Sequence, residues 1–347
     1  ARSPAYFFNE KVMCELGAGM ASTGRLNPEG RVRALSAMKR FHRLSQGMET
    51  GPLTAVATAA VRDAEDGREF CADVLRETGI RIWVLDGEQE AAFSAQGVLS
   101  MELAEIDGGR VGRRMTSPLG PLKLRDLKGG KKGRKAQIKD HVAAMSDRLG
   151  EQRNRLFLVG GSFRALAKID MERRKYPLKV AHEYRMSASS LRETIRYISE
   201  NDADELRARA GVSSARMALV PYCAEVLKEV VKTFKPRDIA ISSYGIREGL
   251  LYQQMPQRLR DRDPLIEACS FVESRDARIP GSGKVVYNFI DPLFKSVPDE
   301  RKRIIKAACL LHDVSWRAHP DYRAEDCFDN ATRANLGGLK HSERVYL

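Results

Sequence analysis

Apolar positions in this chain fall into short continuous runs that alternate with stretches of helical period. Asn27-Pro28-Glu29 predicts a helix start: Asn can cap, Pro fits the first helical position and Glu suits the positive end. Val32, Leu35, Met38, Phe41 and Leu44 then recur at helical spacing, which places one face in a core, and Gly51-Pro52 stops the helix. Leu53 to Ala57 reads as a buried strand. Glu69 to Thr78 reads as a helix, with Gly79 as its left-handed stop. Arg81 to Leu85 is a second buried strand, with Trp83 packed beneath it, and Glu88 to Val98 is helical. Strands alternating with helices imply βαβ layers, and in such layers ligands sit off the carboxyl ends of the strands.

The middle of the chain adds a hairpin and more alternation. Met101 to Ile106 and Arg110 to Met115 flank Asp107-Gly108-Gly109, the pattern of a β-hairpin. Between Pro121 and Lys139 come Lys123, Arg125, Lys128, Lys131, Lys132, Arg134, Lys135 and Lys139, and the glycines 129, 130 and 133 make this run loop-like. It could be a solvated loop or could grip a polyanion. Leu156 to Val159 is a buried strand that runs into Gly160-Gly161-Ser162, where Ser162 can cap a helix over 164–169. Helices follow over 189–199, 203–210 and 213–233, then a buried strand over 239–243. From Met255 onward only helices are expected, with helical periodicity over 265–272, 285–294 and 303–311.

Composition narrows the class. With 347 residues, two or three domains are expected. Apolar residues make up 43% and charged ones 30%, which suits a globular protein. No apolar run reaches the ~18 residues of a membrane span. Ala1-Arg2-Ser3-Pro4 shows no targeting segment, and the absence of an initial Met suggests that the sequence starts inside a longer chain. The net charge of +13 favours a polyanionic partner, though a surplus of surface Lys and Arg would give the same number. No helix-turn-helix, RNA-recognition or finger motif accompanies that charge, so nucleic acid is not expected as a partner. Six scattered cysteines without a CxxC pair read as reduced thiols of a cytoplasmic protein.

Three constellations carry chemistry. Glu90, in Gly87-Glu88-Gln89-Glu90-Ala91, and Arg62, in Ala57-Thr58-Ala59-Ala60-Val61-Arg62, both lie just past a strand end and could converge on one crevice. The bland alternatives are a helix-start carboxylate and an arginine paired with Asp63 or Glu65. The turn Gly160-Gly161-Ser162 at a helix N-terminus exposes backbone N–H groups to an anion. His312-Asp313, with His319 and His341 further on, is a metal-ligand pairing that lacks an upstream imidazole. A structural role suits it better than a working metal site.

These motifs, together with Val159-Gly160-Gly161-Ser162-Phe163-Arg164 and Tyr244-Gly245-Ile246-Arg247-Glu248-Gly249, resemble the Ppx/GppA family of exopolyphosphatases and guanosine pentaphosphate phosphohydrolases. The resemblance runs from about Asn9 to Gly249. Asp263 to Leu347 looks like the helical HD-like extension of the long bacterial members. The resemblance implies an α/β fold: two actin-like (ribonuclease H-like) α/β domains flanking a cleft, over 1–98 and 99–254, plus an all-helical HD-like domain over 255–347. It also implies Mg²⁺-dependent hydrolysis of the terminal phosphoanhydride of inorganic polyphosphate, or of the 5′ γ-phosphate of pppGpp. A non-enzymatic binder of the same ligands is the alternative.

The family's catalytic glutamate falls on Glu90 and its arginine on Arg62. Gly160, Gly161 and Ser162 would hold phosphate, and Glu102 would hold the metal. A homodimer is expected. Two family motifs are absent: the chain starts after the D-x-GSNS-x-R loop, and Ser100 runs straight into Met101-Glu102-Leu103 where a D-x-GGGS loop should intervene. The expectation is that segments are omitted from the written sequence there, rather than that the protein works without them.

Overall fold

The computed structural model describes residues 10–86, 89, 101–107, 110–127, 129–150 and 154–347, so the helix expected over 88–98, with Glu90 in it, lies outside the described residues except for Gln89. Helix α1 (Pro28–Gly47) starts as the sequence requires: Asn27 Oδ1 accepts from the Gly30 N–H at 2.7 Å. Its buried positions are Gly30, Ala34 and Ala37, while Val32 is 70% exposed. The small residues form the close seam, and Leu35 and Met38 pack at its margin. Strand β1 (Ala55–Ala57), helices α2 (Ala59–Asp63) and α3 (Gly67–Thr78) and strand β2 (Ile82–Val84) follow. Gly79 ends α3 in the left-handed region, as expected. β1 and β2 pair in parallel, Ala57 opposite Val84. Trp83 is not packed beneath this pair but is 40% exposed. Among the described residues this sheet has two strands.

The hairpin forms as predicted, β3 (Met101–Asp107) antiparallel to β4 (Arg110–Ser117). The basic run does not stay a loop. After Pro121–Arg125, a single helical turn, it becomes α4 (Gly130–Leu149). Gly129, at φ 102°, makes the turn, and Lys, Arg, Gln and Ala are strong helix formers that outweigh the two glycines at the start. Then come β5 (Arg155–Val159), α5 (Gly161–Arg173), β6 (Arg185–Met186), α6 (Ala188–Glu200), α7 (Ala203–Ala210), α8 (Ser214–Met217), α9 (Val220–Phe234), β7 (Asp238–Ser242) and α10 (Ile246–Gln254). The single helix expected over 213–233 is two, because Pro221 has no N–H to continue a helix and instead sits in the first turn of α9. α4 buries Ile138, Val142, Met145 and Leu149 in one cluster with Val226, Val230 and Phe234 of α9. β7 lies in the middle of a three-stranded sheet, parallel to β5 and antiparallel to β6.

A fully buried carboxylate fastens α5 to its neighbours. Asp170 accepts from Tyr184 Oη at 2.6 Å, Thr194 Oγ1 at 2.6 Å, Ser190 Oγ at 2.9 Å and Arg173 Nη2 at 2.9 Å. Burial, and then the hydrogen bond to Asp170, raise the Tyr184 phenol well above its ordinary range.

The remainder is helical, as predicted: α11 (Pro264–Asp276), α12 (Ser282–Ile290), α13 (Asp299–Leu311), α14 (Arg323–Arg333) and α15 (His341–Tyr346). No helix among the described residues is long and apolar enough to cross a membrane. Arg344 of α15 is fully buried and donates to the carbonyls of Ala334 and Leu336, both at 2.8 Å. One turn earlier His341 meets the α/β part. Its Nε2 donates to the His182 carbonyl at 3.0 Å, and its Nδ1 is 3.2 Å from Tyr176 Oη. His182 Nδ1 in turn accepts from the Ser243 N–H at 3.2 Å, just past β7. Burial, with the charges of Arg344 and His341 adding to it, holds His182 down to about 4. Burial likewise lowers His341.

Removing the Asp170 acceptor leaves several buried donors unpaired, so Asp170→Ala should cost about 3–5 kcal/mol. Urea unfolding of the variant measures this, and a loss under 1 kcal/mol would show the cluster to be dispensable. The histidines give a sign for pH. The unfolded chain takes up protons below about pH 6.5 that the folded His182 refuses until near 4, so stability falls as pH drops through that window and gains nothing from this group above it. Unfolding midpoints between pH 7 and 5 should fall less steeply for His182→Gln than for the wild type. Equal slopes would remove His182 from the acid response.

Candidate active site

Parallel pairing places Val159 opposite Ser242, so the turns that follow β5 and β7 leave the sheet side by side. At the start of these strands Arg155 clamps Asp238, with Nε–Oδ1 at 2.5 Å and Nη2–Oδ2 at 3.1 Å. At their ends Arg164 Nη1 donates to the Ser243 carbonyl at 3.0 Å and ties the two turns together. Glu248 braces the second turn by accepting from the Gly245 N–H at 2.6 Å.

The two glycines of the first turn serve different ends. Gly160 has φ 141° and ψ 151°, a conformation essentially confined to glycine. A Cβ at Gly161 would lie 3.0 Å from Arg216 Nε, so the bare backbone lets the guanidinium of α8 close over the turn. Ser162 does not cap α5. It lies inside the first turn, with its side chain close to Cys223 of α9. Burial pushes the Cys223 thiol up to about 11, which makes it a packing group rather than a nucleophile. The first N–H groups of α5 carry no side-chain cap. Free amides and a half-exposed guanidinium therefore meet at one strand end, an arrangement that suits an anion. Arg216 was not singled out from the sequence. Only its approach across three helices to Gly161 marks it, and no local spacing encodes that approach.

The other candidates belong to the β1–β2 unit. Arg62 donates from Nε to Asp63 Oδ1 at 2.9 Å and from Nη1 to the Leu85 carbonyl at 3.1 Å. It thus pairs with its neighbour and also holds the end of β2. Asp86 and Gln89 exchange hydrogen bonds there: the Gln89 N–H to Asp86 Oδ1 at 2.7 Å and the Asp86 N–H to Gln89 Oε1 at 3.1 Å, the reciprocal pattern of a helix start. Glu90, the next residue, is outside the described residues, as is the side chain of Glu102, whose backbone pairs with Thr116. Among the described residues no group of three or more His, Cys, Asp or Glu side chains could hold a metal ion. They do not by themselves make up a magnesium site, and no step below is routed through that ion. His312 and Asp313 are engaged locally: His312 Nδ1 meets the Cys309 carbonyl at 2.6 Å, and Asp313 accepts from the Arg278 N–H and Nη2, each at 3.1 Å.

Comparison with known proteins places this geometry. The Ppx/GppA phosphatase family matches residues 1–111 and 100–258, in two pieces that overlap where Ser100 meets Met101, and the exopolyphosphatase C-terminal family matches 295–347. Exopolyphosphatase 1 of Mycobacterium tuberculosis is 24% identical over 300 residues, which cover 77% of this chain and 85% of that one. A guanosine-5′-triphosphate,3′-diphosphate pyrophosphatase of Aeromonas hydrophila is 22% identical over 332 residues, 86% of this chain and 65% of its own length. In structure, an exopolyphosphatase from Cytophaga hutchinsonii aligns with a TM-score of 0.63 at 20% identity, covering 71% of this chain and 88% of its own. A Ppx/GppA family member from Aquifex aeolicus aligns at 0.59 and 19%, covering 72% and 88%. These likenesses bear out the actin-like fold. With the family model spanning well over half of its residues, this chain belongs to the Ppx/GppA phosphatase family.

Proposed function

We propose that this phosphoanhydride hydrolase is an exopolyphosphatase that removes the terminal phosphate of inorganic polyphosphate. The observation that carries the reading is the Gly160-Gly161 turn, where the uncapped start of α5 lies against the Arg216 guanidinium. The terminal phosphate there would be held by fixed dipoles and a charge-assisted hydrogen bond, which neutralise and position its charge for attack by water. Arg62, held at the end of β2, would contribute from the other side. Glu90 is assigned as the base that orients and deprotonates the attacking water, a role typically worth about 10²–10⁴-fold in rate. Magnesium belongs to the proposal as the companion of the phosphate chain, with Glu102 as its candidate ligand, and a dimer and a cytoplasmic location belong to it as well. Hydrolysis of pppGpp is the second reading, supported by the Aeromonas hydrophila relative that carries that activity in its name.

Phosphate release from long-chain polyphosphate should exceed release from pppGpp and should stop on chelation. Faster release from pppGpp would select the second reading. Glu90→Gln should lose about 10²-fold or more in kcat while keeping polyphosphate affinity, and unchanged turnover would remove Glu90 from the mechanism. Arg216→Ala should fold normally and raise KM for either substrate about tenfold or more, matching the ~1.5–3 kcal/mol of a hydrogen bond to a charged group. An unchanged KM would sink the assignment of Arg216.

A further inference from the structure

The basic run that becomes α4 departs from what its helix would choose for itself. Lys131 and Lys132 occupy its first turn, with no acidic residue there, against the partial positive charge of a helix N-terminus. Lys131, Lys135 and Lys139 then follow at i, i+4 and i+8, a like-charge spacing that weakens a helix. All four lysines are exposed, and none has an acidic partner among the described residues. The nearby acids do not offset them. Asp126 is bound by Arg125, and Glu225 by Arg134. Asp140 and Asp147 fall, at about 100° per residue, beside the lysine row rather than within it. The rise of ~1.5 Å per residue spreads the row over about 12 Å.

The helix that carries the row packs on α9, which also packs against α5 behind the glycine turn. Arg134, in the second turn of α4, pairs with Glu225 at 2.9 Å and lies 5.1 Å over the Tyr222 ring. Both partners flank Cys223 on α9, which lies close to Ser162 of the glycine turn. One pair of packed helices therefore joins the start of the lysine row to the place assigned to the terminal phosphate. We infer that the lysine face of α4 is a docking track for the body of a polyphosphate chain whose end lies at Gly160-Gly161. This rests on the exopolyphosphatase reading and adds to it a preference for length. A long chain reaches the track, whereas a short one, or a nucleotide with three phosphates, does not.

The test compares wild type with Lys132→Gln/Lys135→Gln/Lys139→Gln, residues outside the catalytic machinery. Phosphate release is measured on long-chain polyphosphate and on tripolyphosphate, and long-chain binding is measured by filter retention across a salt series. KM for the long chain should rise about tenfold or more while tripolyphosphate turnover stays unchanged. The slope of log affinity against log salt should flatten by about 2, at ~0.7 per lost contact on a flexible polyanion. Equal loss on both substrates, no loss on either, or an unaltered slope would overturn the track. Binding of a single-stranded oligonucleotide of matched charge as tightly as polyphosphate, and equally dependent on the lysines, would also overturn it in favour of a general polyanion surface. A wild type that binds long chains but hydrolyses none would refute the exopolyphosphatase reading alone, because the binding arm still decides the track.

Discussion

The candidate site depends on the parallel pairing of β5 with β7. Register is set at one end by the Arg155–Asp238 clamp and is expressed at the other, where the turns at Gly160 and Ser243 emerge in line. A slip by one residue would turn every side chain of the strand to the opposite face and part the two turns. The rest follows from that alignment. Arg164 can reach the Ser243 carbonyl, α5 can point its first amides outward, and Arg216 can settle on a glycine that has no Cβ to repel it. The buried hydrogen bonds of Asp170 hold the far end of α5, so the helix is anchored at its C-terminal side and open at its N-terminal side.

Charge is distributed by purpose rather than by amount. Arg155, Arg164 and Arg344 are spent inside the molecule on carboxylate or carbonyl groups. The lysines of α4 face water. The excess of +13 is therefore not spread evenly over the surface. One contributor is a helix whose first turns carry cations where its dipole favours anions.

Much of this was legible in the sequence where the cause was local. The Asn27 cap, the Gly79 stop, the hairpin and the strand leading into Gly160-Gly161 each depend on a few adjacent residues, and each appears where local rules put it. What was missed depends on distant partners. Ser162 looked like a cap, yet it lies inside the first turn, close to Cys223 sixty-one positions on. Val32 fitted the helical period of the apolar face, yet it is exposed and the buried positions are Gly30, Ala34 and Ala37. The basic run looked like a loop because three glycines outshone its helix formers. Arg216 gave no signal, since its importance lies in an approach to Gly161 that no spacing records.

The thiol of Cys223 is a built-in clock for this region. It is buried, uncharged at neutral pH and close to Ser162 of the glycine turn. A thiol-specific reagent can reach it only while α9 and the turn have parted, so its labelling rate in the native protein reports how often that end of the sheet opens. A phosphate chain seated on the turn would hold the two together. Occupancy would then be read as protection of a cysteine that never touches the ligand.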